Sequence, residues 1–200
     1  MKIHQVQQRT PEWFQLRVDH PLTASNAQAI ASQGKGLETL CWEKVAEKYS
    51  SAEKETYSNP DIERGVELES QAKSIYEMES SNVVEEVGFI TNENINNLAG
   101  ASPDGLMSDL KAGVEIKCPN DVRFLKLLAG EDIDNAYQWQ MQMQMLIGEL
   151  ESVYFIAYNP NFEKSLVVEI VEPDPLMQEK LQGGLAMGEK IISDIESKIK

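Results

Sequence analysis

Histidine and cysteine are scarce in this sequence. Its 200 residues include only two histidines, His4 and His20, and two cysteines, Cys41 and Cys118. So few histidines speak against a Ser-His-Asp catalytic site and against a histidine-rich zinc site. The two cysteines fall on different predicted elements, so neither a disulfide framework nor a thiolate metal site is indicated, and both are expected to be reduced and packed. Any bound metal is therefore expected to be a hard cation held by oxygen atoms.

Long apolar runs are absent as well. No stretch approaches the roughly 18 consecutive apolar residues that a membrane span requires. The N-terminal residues 1–14 lack the apolar core of a signal peptide. We therefore expect a cytoplasmic protein that does not bind membranes. Internal repeats, low-complexity tracts and linker-like stretches are also missing, so residues 1–200 are interpreted as a single domain.

Basic residues are outnumbered by acidic ones. The chain has 18 lysines and arginines against 33 aspartates and glutamates, for a net charge of −15. Taken alone, this charge speaks against nucleic acid and against an anionic membrane, since both attract clustered lysine and arginine. The imbalance is uneven, because residues 1–48 hold six basic and five acidic side chains, whereas the rest carries −16. The N-terminal quarter is the part that repels phosphate least.

The periodicity of apolar residues predicts helices in the first 80 residues and mainly strands after them. Thr10-Pro11-Glu12 combines a capping hydroxyl, a proline and an acid, which is typical of a helix start. Helices are predicted over about 11–17, 23–30, 37–49, 60–78, 137–147 and from 175 onward, and strands at 83–84, 87, 89–90, 98–101, 105–110, 113–118, 153–158 and 166–171. This order predicts an α/β or α+β fold with a helical N-terminal region.

The predicted strand over 113–118 carries the first candidate site residues. Alternation along the strand sends its aliphatic side chains to an apolar face and places Glu115 and Lys117 together on the other. An acid two residues before a lysine is common by chance, and the alternative is a solvated surface pair. A site is favoured here because the strand contains β-branched residues and follows a rigid Ser-Pro-Asp-Gly bend at 102–105.

The bend brings a second carboxylate, that of Asp104, beside Glu115 if the two segments form a hairpin. Two carboxylates and the ammonium of Lys117 then converge, which suits Mg²⁺, a hard cation that leaves coordination positions open for phosphate oxygens. The lysine is placed to orient or deprotonate a water for attack on phosphorus. Glu69 is a candidate third carboxylate, whereas Glu67 lies about 200° away on the same helix; the alternative for either is a solvated acid.

Short motifs follow one another in order along the chain. They are Glu-Trp-Phe-Gln-Leu-Arg with Thr-Ala-Ser, Arg-Gly-x-Glu-x-Glu, Ser-Pro-Asp-Gly-Leu, Glu-Ile-Lys-Cys-Pro and Ala-Tyr-x-x-Gln-x-Gln, at 12–17 with 23–25, 64–69, 102–106, 115–119 and 136–142. In this order they resemble the lambda exonuclease/YqaJ-type viral recombinase family of PD-(D/E)XK nucleases, the phage-type alkaline exonucleases. The resemblance implies a restriction-endonuclease-like core, in which a central mixed β-sheet is flanked by helices.

The resemblance also implies roles for individual residues at the site. Lys117 would orient the attacking water. Gln140 would be the helix glutamine beside the metal, but Gln142 stays open by sequence, and the alternative for both is a polar helix stripe. The metal ligands would be three carboxylates and one backbone carbonyl, those of Glu69, Asp104, Glu115 and Ile116.

Contacts with DNA are implied as well. Arg17 and Ser25 would bind a terminal 5′-phosphate, since a guanidinium and a hydroxyl at a helix start suit a doubly charged group. The alternative for Arg17 is to neutralise carbonyls at the end of its helix. Ile62 would be an apolar wedge against the terminal base pairs, although it also fits the apolar stripe of its helix. Further DNA contacts are expected from Trp13, Lys35, Arg123, Tyr137 and Gln142.

The implied activity is 5′→3′ digestion of one strand of linear double-stranded DNA to mononucleotides, which leaves a 3′ single strand for recombination by annealing. The resemblance implies two Mg²⁺ ions per active site, with Mn²⁺ as a substitute and with Ca²⁺ binding without rapid cleavage. It also implies a ring-shaped homotrimer, a phage-type single-strand annealing protein as partner, and a phage or prophage origin in a bacterial host. The acidic excess is then expected on outer surfaces, so that DNA enters through a small metal-neutralised channel.

Two other functions remain open at this point. One is a structure-specific or restriction-type endonuclease of the same fold. The other is a catalytically silent adaptor that binds DNA ends, against which the presence of Asp104, Glu115 and Lys117 argues.

Overall fold

The computed structural model describes residues 1–51, 60–107 and 111–199, with the backbone alone at 60–63 and 66. The α-helices of these residues are α1 (Pro11–Asp19), α2 (Ala27–Ser32), α3 (Lys35–Tyr49), α4 (Pro60–Ser80), α5 (Asp121–Leu128), α6 (Asn135–Gly148) and α7 (Pro175–Ile199). The strands are β1 (Lys2–His4), β2 (Leu22–Thr23), β3 (Phe89–Asn92), β4 (Asn96–Ala101), β5 (Gly105–Met107), β6 (Ala112–Lys117), β7 (Ser152–Tyr158) and β8 (Leu166–Val171).

The strands form two mixed sheets of four strands each. The first has the order β1-β3-β4-β2, with β2 parallel to β4. The second has the order β5-β6-β7-β8, with β6 parallel to β7 and the outer pairs antiparallel. Parallel neighbours need a crossover, which α5 and α6 provide between β6 and β7. The predicted α/β class is confirmed, although the strands are divided between two sheets and do not form one.

Helices cover both faces of the second sheet. On one face α4 packs against the sheet, where Ala72 and Ile116 are buried in the same cluster. On the other face α5 and α6 contribute Phe124 and Met141 to a second cluster. Because side chains alternate along β6, Glu115 points away from α4 and toward α6.

Helix α6 lies between the two sheets. Its Met143 and Ile147 belong to the apolar core that the first sheet forms with α2, α3 and α7, while Met145 faces the second sheet. All residues of α6 from Met141 to Gly148 are buried. Polar side chains on such an enclosed helix need hydrogen-bond partners, because an unpaired buried polar group is costly. None of the helices in the described part of the chain is both long and apolar enough to cross a membrane.

Local capping signals explain which elements were predicted. Helix α1 begins at Pro11 as expected, with the Thr10 hydroxyl accepting a hydrogen bond from the Trp13 N–H at 3.4 Å. The strands predicted at 83–84 and 87 are wrong, because this segment forms only an isolated bridge through Glu85. Strand β1 and helix α5 were not predicted; both are too short for a clear apolar period. Residues 108–110 of the predicted hairpin lie outside the described residues.

Candidate active site

Two backbone hydrogen bonds attach Asp104 to strand β6. The Asp104 N–H donates to the carbonyl of Val114 at 2.9 Å, and its carboxylate Oδ2 accepts from the N–H of Ile116 at 2.7 Å. The bend before β5 therefore holds this carboxylate against the strand that carries Glu115 and Lys117. The sequence-based expectation that a hairpin brings these residues together agrees with this geometry.

Glu115 is a buried carboxylate with three donors. Its side chain is 1% exposed, and Oε1 accepts from Gln140 Nε2 at 2.6 Å and from Lys117 Nζ. The other oxygen, Oε2, accepts from Gln144 Nε2 at 2.5 Å. Positions 140 and 144 are one helical turn apart, so both amides lie on the face of α6 that meets β6. The carboxylate is thereby fixed in position from both sides.

The electrostatics of this cluster are dominated by negative charge. Burial, reinforced by the Glu115 carboxylate, raises the pKa of Asp104 to about 8, and Lys117 and the Ile116 N–H offset this only in part. Burial on its own would lower the pKa of Lys117, but Glu115 and Asp104 outweigh it and raise that pKa above its ordinary value. Lys117 is therefore an ammonium, and because one ammonium does not balance two ionised carboxylates, Asp104 keeps its proton up to about pH 8.

These donors suit a hard divalent cation. The oxygen atoms available are the carboxylates of Asp104 and Glu115 and the carbonyl of Ile116. A bound cation would relieve the burial and repulsion that raise the pKa of Asp104. Within the described residues, no three His, Cys, Asp or Glu side chains are gathered closely enough to hold a metal ion. The predicted ligand set is thus brought together in part, and the Glu69 carboxylate is paired with another residue.

That partner is Arg9, which sequence reasoning missed. Its Nη2 lies 2.9 Å from Glu69 Oε2 and 3.2 Å from Oε1. Glu69, Asp104 and Ile116 all line one cleft of about 700 Å³, and Arg9 lies on the same wall. Nothing in the sequence marks Arg9, because it precedes helix α1 and its partner is 60 residues away.

The four glutamines of α6 separate in the structure. Gln140 and Gln144 contact Glu115, whereas Gln142 is 2% exposed and donates to the carbonyl of Glu172 at 2.8 Å. Gln142 Oε1 also accepts from the Asp174 N–H at 2.8 Å. Gln142 therefore lies away from the candidate site. Gln144 was missed, although its i,i+4 spacing from Gln140 is a signal that could have found it.

Two of the predicted DNA contacts lie next to Lys117. The Lys117 ammonium is 5.1 Å from the centroid of the Tyr137 ring. Arg123 lines the same small cavity of about 190 Å³, but its Nη2 is 2.5 Å from Asp134 Oδ2. The structure brings Tyr137 and Arg123 to one side of the site, with the charge of Arg123 already paired.

Arg17 and Ser25 are in contact, as the phosphate-pocket hypothesis requires. Arg17 Nη2 donates to Ser25 Oγ at 3.0 Å, and Ser25 Oγ is 3.1 Å from Thr23 Oγ1. Within residues 1–51, 60–107 and 111–199, no carboxylate lies within 4 Å of the Arg17 guanidinium. Burial lowers the pKa of Arg17, which Glu47 partly offsets. A half-buried guanidinium with no carboxylate in direct contact among the described residues is suited to an anion.

Trp13 connects this pocket to the metal-binding candidates. The guanidinium carbon of Arg17 is 4.6 Å from the centroid of the Trp13 ring. The ring Nε1 donates to Ser102 Oγ at 2.9 Å and to the Gly88 carbonyl at 3.1 Å. Because Ser102 is two residues before Asp104, the two groups of residues share one rigid support.

The other predicted DNA contacts are not part of these groups. Lys35 is exposed at the first position of α3 and lines a groove between α3 and α7 together with Trp42 and Met187. The side chain of Ile62 lies outside the described residues.

Cys118, next to Lys117, carries a thiol whose pKa is raised to about 12 by burial and by Glu69, so it stays protonated and is unsuited to act as a nucleophile.

Sequence comparison identifies the family. A profile of the YqaJ-like viral recombinase domain matches residues 12–151, which include all the ordered motifs. The chain belongs to the YqaJ-like viral recombinase family. The resemblance inferred from the motifs is thereby confirmed. No curated protein sequence matches the chain.

Solved structures extend the similarity to nearly the whole chain. An alkaline exonuclease from Laribacter hongkongensis, LHK-Exo, is 27% identical with a TM-score of 0.80, covering 95% of this chain and 98% of that one. Its complex with dAMP is 28% identical with a TM-score of 0.81 and the same coverage. A phage related exonuclease from Haemophilus somnus 129PT, 14% identical with a TM-score of 0.64 over 90% of this chain and 96% of that one, shares the fold.

The Asp104→Asn variant is expected to change stability in opposite ways without and with a divalent cation. A carboxyl group whose folded-state pKa is raised to about 8 binds more protons in the folded state, so it lowers stability as pH rises from about 4 to 8. With EDTA at pH 8.5, the variant should melt higher than the wild type by roughly 4 °C, about 1–2 kcal/mol. Ca²⁺ should then raise the melting temperature of the wild type but not that of Asp104→Asn.

Melting curves with EDTA and with Ca²⁺ measure both effects, and Asp194→Asn on the exposed side of α7 is the matched control. The control should follow the wild type in both buffers. A lower melting temperature of Asp104→Asn in EDTA at pH 8.5, or an equal stabilisation by Ca²⁺, would contradict the interpretation.

Alanine variants of Gln140 and Gln142 are expected to differ in kind. Gln140→Ala removes a half-buried donor to Glu115 and should lower kcat by about tenfold or more, with little change in melting temperature. Gln142→Ala removes two buried hydrogen bonds between α6 and the segment before α7, so it should cost about 1–3 kcal/mol of stability and lower kcat much less. Kinetics and thermal melts on both variants test this, and equal effects on both quantities would refute it.

Proposed function

We propose that this protein is a Mg²⁺-dependent 5′→3′ exonuclease. It digests one strand of linear double-stranded DNA from a 5′-phosphorylated end, releases mononucleotides and leaves a 3′ single strand for recombination by annealing. The observation that carries the proposal is the convergence of Asp104, Glu115, Lys117 and Gln140 at one end of strand β6 and one face of helix α6.

Deoxyribonuclease activity is the part of this function that the family supports directly. The YqaJ-like domain covers residues 12–151, and the structure of an alkaline exonuclease is similar over 95% of the chain. The complex of that enzyme with dAMP supports a mononucleotide product, since the fold of the relative accommodates a single nucleotide. Direction, metal and end preference are proposals for this chain.

The residues of the site have separable roles in the proposed reaction. Asp104, Glu115 and the Ile116 carbonyl would hold a divalent ion, and such an ion would supply Lewis-acid chemistry at the phosphate. Lys117 orients the attacking water, since its raised pKa keeps it an ammonium that donates and does not act as a base. Gln140 holds the Glu115 carboxylate. Glu69 lines the same cleft and is paired with Arg9. Its carboxylate would become a further metal ligand if it bound the ion while keeping this contact.

The 5′-phosphate preference rests on Arg17 and Ser25. Their contact at 3.0 Å presents a guanidinium and a hydroxyl side by side, and no carboxylate of the described residues lies within 4 Å of the guanidinium. A terminal phosphate has the charge and the acceptors for both groups. Trp13 stacks beside Arg17 and keeps the pocket close to Asp104.

The wider assembly follows from the family resemblance. We propose a homotrimeric ring threaded by DNA, two Mg²⁺ ions per active site with Mn²⁺ as a substitute, and a phage-type annealing protein as partner in the bacterial cytoplasm. Ca²⁺, which binds oxygen ligands with looser geometry, should support DNA binding without rapid cleavage.

A digestion assay on linear and circular DNA, with two lysine variants, separates this function from the endonuclease and from the silent adaptor. Linear duplexes with and without a 5′-phosphate, labelled at either end, and a closed circle are each incubated with Mg²⁺. We expect strands to be digested from their 5′ ends to labelled mononucleotides, and faster when the end carries a phosphate. The closed circle should stay intact. Lys117→Ala should lower the rate by at least about 100-fold, while Lys111→Ala at an exposed ion pair should not.

The alternatives predict different products. Cutting of the circle would indicate an endonuclease of the same fold. Binding of ends without any digestion in Mg²⁺ or Mn²⁺ would indicate the silent adaptor. Undiminished digestion by Lys117→Ala would show that the active site lies elsewhere.

Arg17→Ala is expected to abolish the preference for phosphorylated ends. A charge-assisted hydrogen bond contributes roughly 1.5–3 kcal/mol, so kcat/KM on 5′-phosphorylated DNA should fall about 10- to 100-fold, with little change on 5′-hydroxyl DNA. Arg17→Lys keeps the charge but loses the planar donor pair and should restore only part of the preference. The ratio of kcat/KM on 5′-phosphorylated DNA to kcat/KM on 5′-hydroxyl DNA measures the effect. An unchanged ratio in Arg17→Ala would show that Arg17 does not bind the terminal phosphate.

A further inference from the structure

Arg9 occupies a backbone conformation that arginine rarely adopts. Its φ is +67°, in the left-handed region, where a side chain with a Cβ costs roughly 1–2 kcal/mol relative to the right-handed region. Glycine would adopt this conformation without that cost. The position directly precedes Thr10, the N-cap of α1, so the chain must turn here. An arginine in such a place suggests that its guanidinium does something glycine could not.

The guanidinium of Arg9 is only partly engaged. Both contacts with Glu69 come from Nη2, at 2.9 and 3.2 Å, so the pair is not the two-pronged arrangement that arginine makes with a carboxylate when fully committed. In the described part of the chain, Nε and Nη1 have no hydrogen-bond partner. The side chain is 51% exposed. Most of its donors therefore remain available.

Arg9 also stands where a cation is scarce. The cleft of about 700 Å³ is lined by Glu69, Asp104 and Glu86, and its other cation, Lys73, is 3.6 Å from Glu86. Among the described charged side chains that line this cleft, three carboxylates outnumber the two cations. Arg9 is anchored at one end by Glu69, which fixes the direction of the remaining donors at little further entropic cost.

We propose that Arg9 is a further DNA-binding residue, whose free guanidinium N–H groups contact a backbone phosphate of the strand lying in the cleft while Nη2 stays on Glu69. The inference rests on the proposed nuclease function, because it assumes that DNA reaches the cleft lined by Glu69 and Asp104. It differs from a purely structural role, in which Arg9 would only hold Glu69 in place.

The test measures DNA binding by Arg9→Gly as a function of salt. Equilibrium affinity for a linear duplex is determined in Ca²⁺ between about 50 and 200 mM salt. Loss of one phosphate contact should weaken binding about 3- to 10-fold and make the slope of log affinity against log salt shallower by about 0.9. Arg9→Lys, which retains the charge, should keep most of the slope. The melting temperature of Arg9→Gly should not fall, since glycine tolerates the backbone conformation.

Lys111→Gly is a closely matched control. Lys111 is also a cation at positive φ, +47°, and is paired with Glu151 at 3.0 Å, but it does not line the cleft. Its replacement relieves the same kind of backbone strain and removes the same charge. Its salt slope and affinity should equal those of the wild type.

Titration with Mg²⁺ alone separates the two roles of Arg9. If Arg9 binds phosphate, Arg9→Gly should bind Mg²⁺ at least as tightly as the wild type, because a competing positive charge has left Glu69. Weaker Mg²⁺ binding with an unchanged salt slope would mean that Arg9 only positions Glu69, and would overturn the inference. So would equal slopes in Arg9→Gly and Lys111→Gly.

Failure of the inference is distinguishable from failure of the proposed function. If the wild type cleaves linear DNA and Arg9→Gly binds DNA with the wild-type affinity and slope, only the role of Arg9 is refuted. If the wild type neither cleaves nor binds linear DNA in the presence of divalent cations, the nuclease function itself is refuted.

Discussion

The buried carboxylate of Glu115 is the interaction on which the site depends. A carboxyl group at 1% exposure is unfavourable unless its oxygens are hydrogen-bonded, and here one ammonium and two amides donate to them. Two of these donors come from α6 and one from β6 itself, so the carboxylate joins the sheet to its crossover helix. The position of α6 between the two sheets is thus coupled to the chemistry of the strand beside it.

The parts of the site that sequence could predict are those with local causes. The bend at Asp104 and the alternation that pairs Glu115 with Lys117 arise from residues close in the chain, as does the start of α1 at Pro11. Gln144 follows from its i,i+4 spacing with Gln140, whereas the contact of Arg9 with Glu69 depends on how distant elements pack, and no local pattern encodes that. The division of the strands into two sheets has the same origin, since α6 must be inserted between them.

Net charge is a poor guide to what this protein binds, because the position of each charge decides more than the sum. The value of −15 describes the whole chain, whereas Arg9 and Arg17 both belong to the nearly neutral residues 1–48. Lys117 adds a cation at the centre of the site. Electrostatic interactions weaken beyond about 8–10 Å at physiological ionic strength, so acids on remote surfaces affect a phosphate at these residues little.

The hydrogen bonds of Trp13 have a consequence for the length of each catalytic step. The indole ring carries Arg17 on its face and is tied by its Nε1 to Ser102, two residues before Asp104. If a strand end is bound at Arg17 and hydrolysed beside Asp104, the distance between these two points is set by the rigid indole ring of Trp13 and not by a flexible loop. The length of the fragment removed in each step would then depend on how firmly Trp13 is held by its hydrogen bonds.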